Sequence, residues 1–343
     1  MSRVRLADVA RAAGVSKSTA SRALTGAAVT MRPETRARVR DAADRLGYRP
    51  HAGARALTRS DTGALGLTIP DLTNPVWARI VRAAVDRARA RDFAVLLVED
   101  RDPAETHDVV VDLIGTGRVD ALVMASAVPG HPLVRALPEL RFPHVYLNRA
   151  VDGSGRNVVA RDARASELAL EHLAALGHTA VALVGGPAGL STVHARSAGF
   201  ARAAARLGID PAPILPAPFT EEGGADSVRA ILAQEPRPTA ICVNLLGQAV
   251  GVLSALWEAG VDVPGEISIV CYDDLPLAAH LRPALTRVDM PLAELGALGV
   301  DAAIDQRLGE PPRDLELARD PVLIVGGSTA RPPVLQAAQT RSR

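Results

Sequence analysis

Two sets of residues in this sequence have the types and spacing that recognition chemistry needs. Lys17, Ser18, Ser21 and Arg22 project from one short segment, LADVARAAGVSKSTASRAL, at residues 6–24. Cationic and hydroxyl donors on one short helix can hydrogen-bond base edges and phosphates. The second set is dispersed: Asp71, Asn74, Asn148, Arg149, Arg196, Asn244 and Asp273, with Trp77 and Phe219 as apolar faces. Acid, amide and guanidinium groups around a stacking ring suit a polyhydroxylated small molecule, a sugar above all.

The elements that must position the first set are legible from local pattern. Leu6, Val9, Ala10 and Ala13 recur at helical spacing, giving a first short helix one apolar face. Gly14-Val15 breaks that pattern where a tight turn needs positive φ. Ser16 can cap a second helix, in which Ala20, Ala23 and Leu24 share a face. The spacing fits a helix-turn-helix whose second helix can enter a major groove. The plain alternative is a helical hairpin with a solvated basic face. Pro33 starts a third helix, with Val39, Ala42, Ala43 and Leu46 as its apolar stripe and Gly47 as its C-cap.

LADVARAAGVSKSTASRAL followed by PETRARVRDAADRLGYRP closely resembles the headpiece of the lac repressor and purine repressor family of bacterial transcriptional regulators. The pattern continues through YDDLPLAAHLRPALTRV to GGSTARPP, so the resemblance covers almost the whole chain. It departs in three places: Arg32 stands where a capping Ser or Asp is usual, Leu245 replaces an acid after Asn244, and Val76-Trp77 replaces an aromatic pair. The resemblance implies a DNA-facing set of Leu6, Ser16, Lys17, Ser18, Thr19, Ser21, Arg22 and Tyr48, joined by His51, Ala54 and Leu57. Those last three lie in the basic stretch YRPHAGARALTRS, which composition alone makes a flexible linker. In the family it folds on DNA, and paired copies push a leucine into the minor groove; Ala54 and Leu57 match that face.

Charge is segregated. Residues 1–60 hold 13 Lys and Arg against four acids, and the remainder holds 26 against 34. A basic unit on an acidic body implies a polyanion partner for the first segment alone. With 48% hydrophobic and 22% charged residues the chain is of ordinary globular composition. No apolar run has the length of a membrane span, and the polar, basic N-terminus lacks a signal peptide's apolar core. A cytoplasmic protein without a membrane role is expected. Cys242 and Cys271 make neither a metal motif nor a disulfide framework.

From Gly63 strands and helices alternate. ALGLTI, FAVLLVE, ALVMAS and HVYLN form one series of buried strands; AVALVGG, AICVN and ISIVCY form a second. Such alternation indicates parallel α/β sheets, and two series indicate two lobes. The expected fold class is an all-α helix-turn-helix headpiece followed by a two-lobed α/β body of doubly wound parallel sheets, like the periplasmic binding proteins the family resembles. The expected boundaries are a headpiece at 1–49, a linker helix at 50–61, a first lobe at 62–159 and 290–318, a second lobe at 160–289 and 319–333, and a tail at 334–343.

Ligands in open α/β sheets bind at the carboxyl ends of strands. That rule selects the loops PDLTNPVW, NRAV, GGPAGLSTVHAR, VNLLGQ and YDDLPLAAH, which carry the dispersed set. By resemblance, Arg196 stands three residues before Gly199, at the family's ligand-binding arginine, and Asp273 is the first acid of its YDD. A salt bridge between lobes is the alternative for both. VGGPAG lacks dinucleotide-loop spacing, no G-x-S-x-G elbow occurs, and His172, His178 and His194 have no metal spacing, so an enzyme, a cofactor and a metal are not expected. The histidines are expected at the surface. A solute-binding receptor would need export and has no use for the basic headpiece. The expectation is a ligand-responsive repressor, a homodimer on double-stranded, near-palindromic operator DNA, with a sugar or alternatively a nucleobase as its small-molecule effector. The tail PPVLQAAQTRSR is too short and polar for a tetramerising coiled coil.

Overall fold

The computed structural model describes residues 4–25, 31–48 and 62–333. His51, Ala54, Leu57 and the tail after 333 lie outside the described residues.

In the headpiece α1 (Leu6–Ala12), α2 (Lys17–Thr25) and α3 (Pro33–Leu46) enclose a small core of Val9, Ala10, Ala13, Ala20, Ala23, Val39, Ala42 and Ala43. Six of these eight residues are alanine. Gly14 adopts φ +64° between α1 and α2, the left-handed geometry that a side chain disfavours. Arg32 supplies no side-chain cap; Pro33 begins α3 without an amide to satisfy. One expectation fails. Leu46 is 38% exposed, and Tyr48, just past the helix, packs against the core instead.

The body then runs β1 (Ala64–Ile69), α4 (Pro75–Ala90), β2 (Ala94–Glu99), α5 (Pro103–Gly115), β3 (Ala121–Met124), α6 (Pro132–Glu139), β4 (His144–Leu147) and β5 (Asn157–Val159). It continues through α7 (Asp162–Leu176), β6 (Ala180–Val184), α8 (Ser191–Leu207), β7 (Asp210–Leu215), α9 (Glu221–Leu232), β8 (Ala240–Val243), α10 (Leu246–Glu258), β9 (Ser268–Tyr272) and α11 (Pro276–His280). Last come β10 (Thr286–Asp289), α12 (Leu292–Arg307), β11 (Leu315–Glu316) and β12 (Val322–Ile324).

Two six-stranded sheets result, in the orders β11-β5-β4-β3-β1-β2 and β12-β10-β9-β8-β6-β7. Strands β3, β8 and β9 are buried at every residue, which is why they read as unbroken apolar runs. Pairing is parallel at β1–β3, β3–β4, β6–β8 and β8–β9, whereas β12 runs antiparallel to β10. The chain passes from the first sheet to the second after Val159, returns after Asp289, and crosses again between Glu316 and Val322. Helix α12 packs on α4, β3 and β4, on the first lobe.

Five strands have no counterpart in the periodicity reading. Four of them, β5, β10, β11 and β12, have two to four residues, too few to show a period. The fifth, β7, carries two prolines in DPAPIL and sits at a sheet edge, where a strand tolerates missing amides. His178 also departs from expectation. It is 2% exposed and bonded to Thr239, Ser268 and the Ala330 carbonyl, so it is an interior histidine tying the C-terminal segment to the second lobe.

Candidate functional site

On the headpiece, Lys17, Ser18 and Arg22 are exposed on α2, while Thr19 and Ser21 are partly covered. Ser16 Oγ accepts the Thr19 amide at 3.1 Å and lies 2.8 Å from Thr19 Oγ1, so both hydroxyls serve the helix start. Arg22 Nε donates to the Ser18 carbonyl at 3.3 Å. Leu6 and Tyr48 are half-buried against the headpiece core. Among the described side chains of α2, the outward chemistry is one lysine, one serine, whose Oγ lies 2.9 Å from Ser16 Oγ, and one arginine.

In the body, the loops at the carboxyl ends of both sheets converge. Arg196, on α8, sends Nε to Asp162 Oδ1 at 2.7 Å and Nη1 to the Asn244 carbonyl at 2.8 Å, and its guanidinium lies 4.4 Å from the centre of the Tyr272 ring. What brings it there is Gly199, one turn along α8. A Cβ at that position would fall 2.3 Å from the Ala163 carbonyl oxygen, so only glycine lets α8 approach the start of α7, where Asp162 stands. Burial opposes a charge on Arg196, but Asp162 and Asp273 outweigh it and hold the guanidinium above its ordinary pKa.

Asp273 follows β9 in a left-handed conformation, φ +73°, and is 2% exposed. Burial pushes its carboxyl from the ordinary 3.8 to about 6, against the pull of Arg196. From the first lobe, Arg149 lies 5.8 Å from the centre of the Trp77 ring, and Trp77 is 5% exposed. Burial lowers the Arg149 pKa to about 10. Asn148, also left-handed at φ +66°, faces a cavity of about 1070 Å³ lined by both lobes, which Asp162, Ser191 and Thr192 also border. Phe219 packs against Gly186, where an added Cβ would fall 2.4 Å from its ring.

Several buried polar atoms at these loops have no hydrogen-bond partner among the described residues: Asn244 Oδ1 and Nδ2, Gln248 Oε1, Asp273 Oδ1 and Asp100 Oδ1. Each such group costs about 1–3 kcal/mol, and native interiors hold few of them. Two residues selected from the sequence stand apart. Asp71 Oδ1 accepts the Thr73 amide and hydroxyl, and Asn74 Oδ1 accepts the Val76 amide as the cap of α4. Their oxygens serve their own loop.

The lobes touch directly beside this cluster. The Ala150 amide donates to Ser191 Oγ at 2.7 Å, and Arg79 donates to the Asp274 carbonyl at 2.8 Å and to Asp289 at 3.2 Å. Sequence reasoning missed Asp162, Tyr272, Gln248 and Asp100. Asp100 was within reach, since it is the first residue after a strand already placed. Asp162 was not, because it follows a three-residue strand. Among the described residues no cluster of His, Cys, Asp and Glu could hold a metal, and no helix is long and apolar enough to cross a membrane.

Comparison with known proteins agrees with this architecture. Residues 5–51 match the model of the bacterial regulatory proteins of the lacI family, and residues 170–329 match a periplasmic binding protein-like domain. The chain belongs to the lacI family of bacterial regulatory proteins, and it is a transcriptional regulator, not an enzyme. The ribose operon repressor of Escherichia coli is 30% identical over 328 residues, covering 94% of this chain and 98% of the relative. The lac repressor dimer bound to operator and the anti-inducer ONPF superposes with a TM-score of 0.83 at 26% identity, over 96% of this chain and 100% of that one. The complex of the transcriptional regulator CelR with cellobiose gives 0.73 at 26% identity, over 95% and 100%.

Proposed function

We propose that this protein is a homodimeric repressor of a near-palindromic operator, and that a sugar bound between the two lobes of its body changes its affinity for DNA. The observation that carries the ligand half is the set of buried, unpartnered polar atoms on Asn244, Asp273, Gln248 and Asp100. The Arg149 guanidinium beside the Trp77 ring adds a donor and an apolar face in the first lobe, and a polyhydroxylated molecule is recognised by such donors, acceptors and faces together. The relatives support the ligand class, one being named for ribose and another solved with cellobiose.

One headpiece reads too few base pairs to be selective, so two are needed. The dimer face we assign is the free edge of the first sheet. Strand β2 ends that sheet, and Leu96 and Leu97 on it are each 39% exposed, with Val109 on α5 at 48% and Leu72 at 53%. An edge strand with exposed leucines invites pairing with a second copy. The domain boundaries that follow are a headpiece to residue 49, a linker at 50–61, and lobes exchanging chain near 159, 289 and 318.

The test is a thermal-shift screen with ribose, cellobiose, other mono- and disaccharides, and nucleosides. A ligand selective for the native state at a hundred times its dissociation constant stabilises by about 2.7 kcal/mol. A sugar that raises the melting temperature, with the gain lost in Asp273→Ala, is the expected result. A response to nucleosides alone would assign the site to nucleobases.

A further inference from the structure

Gln248 Nε2 donates to the Gly185 carbonyl and to the Pro218 carbonyl, each at 2.8 Å. The residue is fully buried, in the first turn of α10. An amide nitrogen carries two protons, so both are committed, and the opposite orientation would set the amide oxygen against two carbonyl oxygens. The side chain is thereby fixed, and Oε1 is left as an acceptor with no partner among the described residues.

The two carbonyls belong to different loops. Gly185 follows β6, and Pro218 lies past the end of β7. The next residues are Gly186 and Phe219, and these two are themselves in contact: a Cβ on Gly186 would fall 2.4 Å from the ring. One amide therefore ties together the backbone on both sides of the Gly186–Phe219 contact. The β7 side needs such a tie. Strand β7 is the outer strand of the second sheet, and its pairing with β6 shifts register between Val181 and Leu183. The loop after it contains Pro216 and Pro218, which have no amide proton to bond back to the sheet. Gln248 also follows Asn244 by one turn, so the same tie reaches the loop whose Asn244 carbonyl accepts Arg196. We propose that Gln248 is a positioning residue of the effector site, seating the half-buried Phe219 ring on Gly186 as a fixed apolar wall for one face of a sugar. A wall set in advance spares the entropy of ordering it on binding. The inference rests on the effector-site reading above, but its deciding test needs no ligand.

The chain has four phenylalanines. With ring-13C phenylalanine in the ligand-free full chain, the nuclear magnetic resonance signal of Phe219 is identified by its loss in Phe219→Leu. Phe200, 1% exposed in the core of the same lobe, reports on the fold. Gln248→Met keeps the length of the side chain and removes both donors. The expected result is that Gln248→Met shifts the Phe219 signal and leaves that of Phe200 in place. Should methionine not be tolerated, Gln248→Asn, one methylene short of the two carbonyls, gives the same comparison. A Phe219 signal that stays in place, or that moves only together with Phe200, would overturn the proposal. Ribose and cellobiose then test the consequence for binding. A sugar that binds the parent should bind Gln248→Met and Phe219→Leu about tenfold more weakly, and the double variant no more weakly than Phe219→Leu. Losses that add would mean that Gln248 acts through something other than Phe219, which also overturns the proposal. Failure of both sugars to bind the parent would count against the effector-site reading, while the ligand-free spectra still decide whether Gln248 holds Phe219.

Discussion

Arg196 Nε and Asp162 Oδ1 are 2.7 Å apart, with the two side chains 11% and 5% exposed, and both residues belong to the second lobe. The pair is thus a buried bridge within one lobe, not a clasp between lobes. Its geometry fixes the guanidinium plane over Tyr272 and against the Asn244 carbonyl. Removing one partner from a buried pair typically costs about 3–5 kcal/mol, because the other charge is left uncompensated. Arg196→Ala is expected to lose stability on that scale in urea unfolding, and to show no thermal shift with any sugar that stabilises the parent. Asp162→Asn should lose comparable stability. Equal stability of parent and both variants would mean the bridge contributes nothing.

Asp273 should behave in the opposite way. Its carboxyl binds a proton more tightly folded, at about 6, than at the ordinary 3.8. The folded state therefore holds more protons between these values, and stability falls as pH rises through that window. The shift corresponds to about 3 kcal/mol at neutral pH, at about 1.4 kcal/mol per tenfold change in acid constant. Asp273→Asn removes that penalty. Denaturant unfolding of the ligand-free variant should show a gain over the parent at pH 7 that shrinks toward pH 4. A buried acid that costs stability is the pattern of a residue kept for binding.

Lys17 begins α2 and is exposed. Lys17→Ala is expected to change preference among operator sequences at one position, by about 1–3 kcal/mol if the contact is specific. Binding to a randomised operator pool, sequenced before and after selection, measures this. A uniform loss on every sequence would make Lys17 a phosphate contact instead.

Leu97→Asp places a charge on the exposed edge strand β2. Light scattering is expected to show a monomer with an unchanged far-ultraviolet spectrum, and a parent that is a dimer. A dimer that survives the substitution would move the interface elsewhere on the body.

The legible parts of this molecule were those in which one stretch of chain encodes its own geometry. Gly14 with its flanking alanines is such a case, and so are the buried runs ALVM and AICV, because turn and strand patterns are local. Arg196 was found only by resemblance to the family, three residues before Gly199, and the structure supplies the physical reason: glycine permits the close helix contact that brings the arginine to Asp162. Asp162 itself was not legible, since it is a partner 34 residues away reached through a strand too short to show a period. Asp71 and Asn74 were chosen for residue type and loop position, but turn capping uses the same chemistry as ligand binding, and their own backbones claim them. The left-handed conformations of Asn148 and Asp273 likewise have no signal in sequence beyond residue types that tolerate them.

A ligand between lobes can influence DNA only by favouring one arrangement of the body over another, since equal affinity for both shifts nothing. The most direct measurement is a titration of the full chain against an operator selected from random DNA, with and without the sugar identified by thermal shift, at one fixed salt concentration. A change in operator affinity of about tenfold, equivalent to about 1.4 kcal/mol, is expected in the parent and should be absent in Asp273→Ala, which still binds DNA. Operator affinity that is identical with and without a saturating ligand would contradict the coupling of cleft to headpiece.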